Sequence, residues 1–588
     1  MSQILDPSAE LMQAMQTMLI QLYTGQGIAE GLVETMKRQQ EASLKPGAAT
    51  QGQEAMPPET NAITQLQMEF AAKHAQLWQA MLQYKPEQPM PVVADAASND
   101  RRFSDPAWAE SPIYDYYRQS YLINAEFLRK VAEVFPVVDE AARERLCFVT
   151  GQYIDAMAPS NFAVTNPEFI KTAIETQGQS ITAGIRNMLA DMEKGSVSMT
   201  DETAFEIGRD LATTPGAVVF QNELIQLIQY SPLTDKVAER PLVIVPPCIN
   251  KYYILDLQRD NSLVRYAVEQ GNTVFLISWR NPTAKVGCDW VWDHYLEEGI
   301  LKAFKIAREI CGVDQVNALG FCIGGTLVSS AIAVAKGRGE DPVASLTLLT
   351  TLLDFTDPGQ LGYFIDPASI AIREAKIGKR GLLTGQELSS VFSSLRPNDL
   401  IWQYVVGNYL KGRTPPAFDM LFWNADSTSM PGPFAVFYLR KLYLENLLRI
   451  PGKLQLCGVK VDLRRINMPT FLFASREDHI VPWKGAYLSR GLLGGKTTFV
   501  KGASGHISGV VNGPIKNKRS YWTSDSTSPD PEEWMAASTE HKGSWWPCWA
   551  KWLADFGGKQ CAARRRLGNK TYKQIEPAPG SYVKEKCE

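Results

Sequence analysis

Histidine is scarce in this sequence, with five residues in 588, so chemistry that needs an imidazole has few places to go. An excess of one charge is missing too. Lys plus Arg (60) and Asp plus Glu (63) nearly cancel, which argues against nucleic acid as the main ligand, because that demands a strongly basic face. No apolar run is long enough to span a membrane. The longest, Val343 to Leu353, contains Ser and Thr and stops at Asp354, well short of the roughly 18 residues required. The first residues, MSQILDPSAE, carry acids where a secretory signal would carry Lys or Arg, so the chain is expected to be cytoplasmic. Nine cysteines make an odd number, never form C-x-x-C and are not spaced with His as a zinc ligand set. Free thiols and no metal site are expected.

What is present falls into segments. Residues 1–99 hold two helical stripes, Met12, Met15, Leu19 and Leu22, then Ile63, Leu66, Phe70, Leu77 and Met81. Two linkers, SLKPGAATQGQEAMPPET and KPEQPMPVVADAAS, separate and follow them. Residues 100–200 remain helical and rich in aromatics. From about residue 240, short apolar runs alternate with helical stretches: PLVIV at 241–245, TVFLISW at 273–279, VNALG at 316–320, LTLLTTLL at 346–353, TFLFAS at 470–475 and TTFVKG at 497–502. Such alternation predicts a mostly parallel sheet covered on both faces, within a catalytic domain spanning 201–588. About 115 residues separate the end of the fourth segment, Leu353, from the start of the fifth, Thr470. A loop rarely exceeds about 6 residues in such units, so a helical cap is expected at about 355–445.

The VNALG run ends in Gly320-Phe321-Cys322-Ile323-Gly324-Gly325 and is followed by a helix-forming stretch. This is G-x-S-x-G with Cys as nucleophile: a strand enters a helix through a strained turn that thrusts the third residue outward. Glycines flank it because a side chain there would collide across the turn, and the helix N-terminus favours a thiolate. In an α/β-hydrolase arrangement the acid follows the penultimate strand and the base the last. Asp478 in SREDHIVPW and His506 in KGASGHISGV occupy those places. His479, adjacent to the acid, is expected to point elsewhere, and Asp354 is a competing acid. His74, His294 and His541 lie away from the expected strand ends. The oxyanion hole would use the N–H of Ile323 and one from the loop Pro246-Pro247-Cys248-Ile249-Asn250. Prolines lack that donor, which leaves Cys248 and Ile249 open as alternatives. Trp423 and Tyr438 in the cap are candidates for the substrate path, with core packing the competing role. The Trp-rich, Arg-containing C-terminal region fits terminal helices packed on the sheet.

The segments DRRFSDPAW, PPCINKYYILDL, GFCIGG, FWNADSTSMPGP, SREDHIVPW and GASGHISGVVNGP, in this order from about residue 100 to the C-terminus, resemble those of the class I polyhydroxyalkanoate synthases. The resemblance implies an acyltransferase of α/β-hydrolase fold that joins short-chain (R)-3-hydroxyacyl-CoA units into a polyester and releases CoA. The coenzyme A thioester would be substrate, and no cofactor is implied. Cys322, Asp478 and His506 match the family's nucleophile, acid and base, with the acid also credited with helping to deprotonate the incoming 3-hydroxyl. The resemblance further implies a homodimer in equilibrium with monomer, attachment to the polyester granule and phasin-type granule proteins as partners. A thioesterase or esterase on the same fold, or a non-catalytic granule-coat protein, are the alternatives.

Overall fold

The computed structural model describes residues 58–86 and 88–587. The stripe from Met12 to Leu22 and most of the first linker lie outside the described residues. Spatially the chain divides into two units, Met1–Glu69 with Val134–Pro136, and Phe70–Glu133 with Val137–Glu588. In the second unit, residues of helix α1 (Pro58–Leu82) meet α2 (Pro112–Val134): Leu77, Ala80 and Met90 share a small core with Ile123, across the boundary expected near residue 99. The DRRFSDPAW motif is an anchor there. Arg102 reaches Asp100 at 2.8 Å, Asp155 at 3.3 Å and the Tyr121 hydroxyl at 2.9 Å, with its guanidinium over the ring of buried Phe103, which itself packs edge-on against buried Trp108. Helices α3 (Glu140–Ala156) and α4 (Gln179–Lys194) complete the helical region.

The catalytic part is built on an eleven-stranded sheet: β1 (Gly216–Gln221), β2 (Ile225–Tyr230), β3 (Leu242–Val245), β4 (Val274–Trp279), β5 (Val316–Phe321), β6 (Val343–Leu349), β7 (Thr470–Ser475), β8 (Thr497–Gly502), β9 (Ser520–Thr523), β10 (Thr539–Lys542) and β11 (Glu576–Pro577). Their spatial order is β10-β9-β8-β7-β6-β5-β3-β4-β2-β1-β11. The six central strands, β4 to β8 in that order, run parallel. Their residues are almost all buried because helices cover both faces, which explains why they read as unbroken apolar runs rather than alternating ones. The six segments expected from sequence correspond to these six strands, except that the fourth, expected over 346–353, runs Val343–Leu349, because the chain leaves the sheet at Thr350, which has φ 40°. Antiparallel β1, β2, β9, β10 and β11, which extend both edges, were not foreseen.

Helix α5 (Ile323–Gly337) leaves β5 directly and is buried along most of its length, so it needs small residues where it crosses the sheet. A Cβ on Gly324 would stand 2.3 Å from the Val245 carbonyl oxygen, and one on Gly320 would stand 2.5 Å from the Gly325 Cα. Between β6 and β7 the chain forms short helices, among them Pro367–Ile377, Gly385–Ser394 and Gly432–Phe437, with π-helical turns at Asn398–Trp402, Val405–Leu410 and Tyr438–Leu444. These belong to the segment expected as a cap. The architecture is that of the α/β hydrolases. Among the described residues no helix is long and apolar enough to cross a membrane.

The close approach at Gly324 generates a prediction. Gly324→Ala should destabilise the protein by about 1–3 kcal/mol, the usual cost of overpacking, whereas Gly151→Ala, in α3 with nothing within 4 Å of the new Cβ, should be neutral or stabilise by roughly 0.4–1 kcal/mol. Urea midpoints of the two variants measure the contrast.

Candidate active site

Cys322 has φ 54° and ψ −128°, a conformation that a non-glycine residue adopts only when its surroundings impose it. Three hydrogen bonds impose it here. The Cys322 N–H donates to Leu349 O at 2.9 Å, while its carbonyl accepts from Gly325 N at 2.9 Å and from Thr351 Oγ1 at 3.2 Å. Strand end, helix start and the end of β6 thus fix the sulfur at the C-terminal edge of the parallel strands, where such folds place their chemistry.

Asp478 follows β7. Its Oδ1 accepts the N–H groups of Ile480 (2.9 Å) and Val481 (2.8 Å), which leaves Oδ2 aimed at His506 Nδ1, 2.6 Å away. His506 opens helix α6 (His506–Val510) after β8, and its ring lies over Phe321 with centroids 5.7 Å apart. The acid side chain is fully sealed from solvent and the imidazole nearly so. Burial alone would lower the imidazole pKa, but the charges of Asp478 and Cys322 and hydrogen bonds to both override it and push it up to about 10. With Nδ1 on Asp478, Nε2 is the ring nitrogen left for the Cys322 sulfur. The three residues reached from chain order therefore meet in space.

The tip of α6 depends on the C-terminal tryptophans. Trp545 Nε1 donates to Gly509 O at 3.0 Å and Trp546 Nε1 to Val510 O at 2.8 Å, satisfying carbonyls at the end of the short helix that carries His506. In helix α7 (Trp546–Ala554), Trp549 donates to Thr347 Oγ1 at 3.0 Å. Sequence composition showed these rings as packing; their indole hydrogen bonds to the base-bearing helix had no local signal.

Cys248 is buried, and burial, followed by a smaller effect of Cys322, pushes its thiol up, so it stays neutral. The N–H groups of Ile323 and Ile249 have no acceptor among the described residues, and the loop bearing Ile249 follows β3, beside Gly324. Tyr438 and Tyr443 form an edge-to-face pair with centroids 5.1 Å apart. Burial first, then Tyr443, then Cys322 hold the Tyr438 phenol well above its ordinary value. Trp292 stacks on Tyr438 and Phe355 packs edge-on against Tyr443, so an aromatic wall stands near the sulfur. Tyr443 was not anticipated, because nothing in the sequence sets it apart from other cap aromatics.

Trp423 is placed differently. Its indole donates to Lys251 O at 2.6 Å from a buried position, as a strut between cap and core. Asp354 caps its own turn through Thr356 and binds Asn446 at 2.8 Å. His479 does not share the Asp478–His506 bond; burial, against a smaller opposing effect of Asp478, lowers its pKa to about 4. His74 bonds Asn124, His294 accepts the Val291 N–H and His541 bonds Thr523.

Comparison with known proteins follows this geometry. The sequence profile described as poly-beta-hydroxybutyrate polymerase (PhaC) N-terminus matches residues 99–267, and that of the alpha/beta hydrolase fold matches residues 241–512. The chain is 53% identical to the poly(3-hydroxyalkanoate) polymerase subunit PhaC of Cupriavidus necator, over 89% of this chain and 88% of that one. It is 39% identical to the protein of the same name from Rhizobium meliloti, over 86% and 83%. With the poly(3-hydroxyalkanoate) polymerase of Methylorubrum extorquens it shares 38% identity over 95% and 97%. Likeness sustained through nearly the whole of both chains places this chain in the poly(3-hydroxyalkanoate) polymerase family, a family of acyltransferases.

Proposed function

We propose that the chain polymerises short-chain (R)-3-hydroxyacyl-CoA through a thioester on Cys322. The observation that carries this reading is the sulfur held on a strained turn beside an imidazole that is itself bonded to a buried carboxylate, in a chain whose relatives are named as polymerases. With its pKa near 10, His506 already holds the proton of the Cys322 thiol when the sulfur attacks the substrate carbonyl, and Asp478 stabilises that imidazolium. The oxyanion is received by Ile323 N–H and a donor from the loop at Cys248 and Ile249. CoA leaves as the thiol, carrying the proton from His506.

In the second half-reaction His506 accepts the proton of a 3-hydroxyl. That oxygen displaces Cys322 and forms an oxoester, so each cycle adds one unit and frees one CoA. Exchange of one thioester for another loses little free energy, and the oxoester step runs downhill; this suits a thiol better than a hydroxyl as nucleophile. Water in place of the 3-hydroxyl would end the chain. The aromatic wall of Trp292, Phe355, Tyr438 and Tyr443 is suited to excluding it. An insoluble product would keep the enzyme at the granule surface, where self-association and phasin-type partners belong to the same proposal.

Incubation of the purified protein with (R)-3-hydroxybutyryl-CoA tests the reading: free CoA with insoluble polyester is expected. Soluble 3-hydroxyacid would instead indicate a thioesterase, and an absence of CoA release an inert coat protein. Cys322→Ala should reduce CoA release by at least about 10³-fold with an unchanged circular dichroism spectrum; substantial residual turnover would refute the nucleophile.

The raised His506 pKa makes a second prediction. A group whose folded pKa is about 10 against roughly 6.5 unfolded contributes stability that is full below the lower value and lost as pH rises through the higher one. The urea-midpoint difference between the parent protein and His506→Gln should therefore shrink steadily from pH 6.5 to pH 10. A constant difference would mean that the ring is held without charge.

A further inference from the structure

Two motifs of the sequence, PPCINKYYILDL and FWNADSTSMPGP, supply none of the three reacting groups, yet the structure ties them together and to the end of the chain. Asp426 is the centre. Its buried carboxylate accepts the Tyr253 hydroxyl at 3.0 Å and faces Lys251 Nζ at 3.6 Å and Lys586 Nζ at 3.2 Å. Lys251, equally buried, donates to the carbonyls of Val583 (2.9 Å) and Glu585. Residues around it repeat the pattern. Thr428 Oγ1 accepts Asn250 N–H at 2.8 Å and donates to Cys248 O at 3.2 Å. Ser429 N–H donates to Asn281, which reaches Lys586 O, and Ser429 Oγ lies 3.1 Å from Cys587 Sγ. Both flanks of Ile249 are therefore held by the cap and by residues 583–587.

Burying an ammonium and a carboxylate is a poor way to gain stability, since well-packed apolar side chains of the same size serve at least as well. Directional bonds offer position instead. Position is also what this loop lacks by itself: Asn250 has φ 61°, a strained value that its surroundings must hold, and a small cavity lined by Cys248, Asn250, Lys251, Thr428 and Val583 leaves the loop incompletely packed on that side.

We propose that Lys251, Asp426 and the tail residues 585–587 form a clasp that holds the loop Cys248–Lys251 where its N–H meets the oxyanion. These are positioning residues that act through the loop, and the inference rests on the acyl-transfer reading above. Two variants test it, Asp426→Asn and deletion of residues 585–588, each assayed for CoA release from (R)-3-hydroxybutyryl-CoA. In parallel, alkylation of Cys322 by iodoacetamide is followed by mass spectrometry of its peptide. Alkylation uses the same thiolate and imidazole but passes through no oxyanion.

The expected result is a fall in kcat of about tenfold or more, up to the roughly 10²–10³-fold seen when an oxyanion donor is removed outright, with KM and the alkylation rate each within about twofold of the parent. Unchanged kcat in both variants overturns the clasp. So does an alkylation rate that falls in step with kcat, because that would mean general disruption of the site. Should Asp426→Asn fail to fold, the deletion variant, which leaves the buried pair intact, decides the matter. No CoA release from the parent chain would overturn the acyl-transfer reading itself, an outcome distinct from loss of activity in the variants alone.

Discussion

The turn at Cys322 is the constraint from which the rest of the site follows. A cysteine with positive φ is costly, by about 1–3 kcal/mol, and it persists because β5, β6 and α5 are locked around it. The lock works only if α5 can approach β3 closely, as Gly320 and Gly324 allow. Once the sulfur is fixed at the strand ends, the parallel order of the sheet brings the loops after β7 and β8 alongside it. Asp478 and His506 are then delivered by two segments that follow neighbouring parallel strands.

Environment turns these groups into a working set. Asp478 is saturated on one oxygen by two backbone N–H groups, so only one oxygen is free to orient the ring. Burial would ordinarily strip the imidazole of its proton; here two neighbouring negative charges outweigh that effect. His479, one residue away, lacks the direct carboxylate bond and shows the opposite outcome, a ring kept neutral by burial. Two histidines close together in space thus differ in charge state because only one has the carboxylate within bonding distance.

Much of this was legible in the sequence, for physical reasons. Buried parallel strands read as apolar runs, and the turn at Cys322 needs glycines at fixed offsets. What escaped notice was encoded at long range. Strand β2 carries two buried glutamines, Gln226 and Gln229, which break the apolar pattern. Gln226 is satisfied by Glu576 and Ser581, and Gln229 accepts the N–H of Gly568, partners more than three hundred residues away. The edge strand β10 is short and polar, as edges exposed to solvent tend to be, and β9 beside it is equally short. Lys251 and Asp426 carry no local signal, because nothing nearby in sequence reveals that each is buried against the other. The roles of Tyr443 and of the indoles at Trp545 and Trp546 depend on the fold in the same way.

Closure of the sheet by β11, which pairs Glu576 and Pro577 with Val218 and Ala217, bears on synthesis as well as on stability. Contacts between segments so far apart in sequence form late, since a very large loop must be closed first. A chain still threading through the ribosome can assemble the central strands and the sulfur-bearing turn while lacking its edge strand and the indoles that brace the helix of His506. The helix of His506 therefore gains its brace, and β1 its outer partner, only after residues 545–546 and 576–577 have joined the fold.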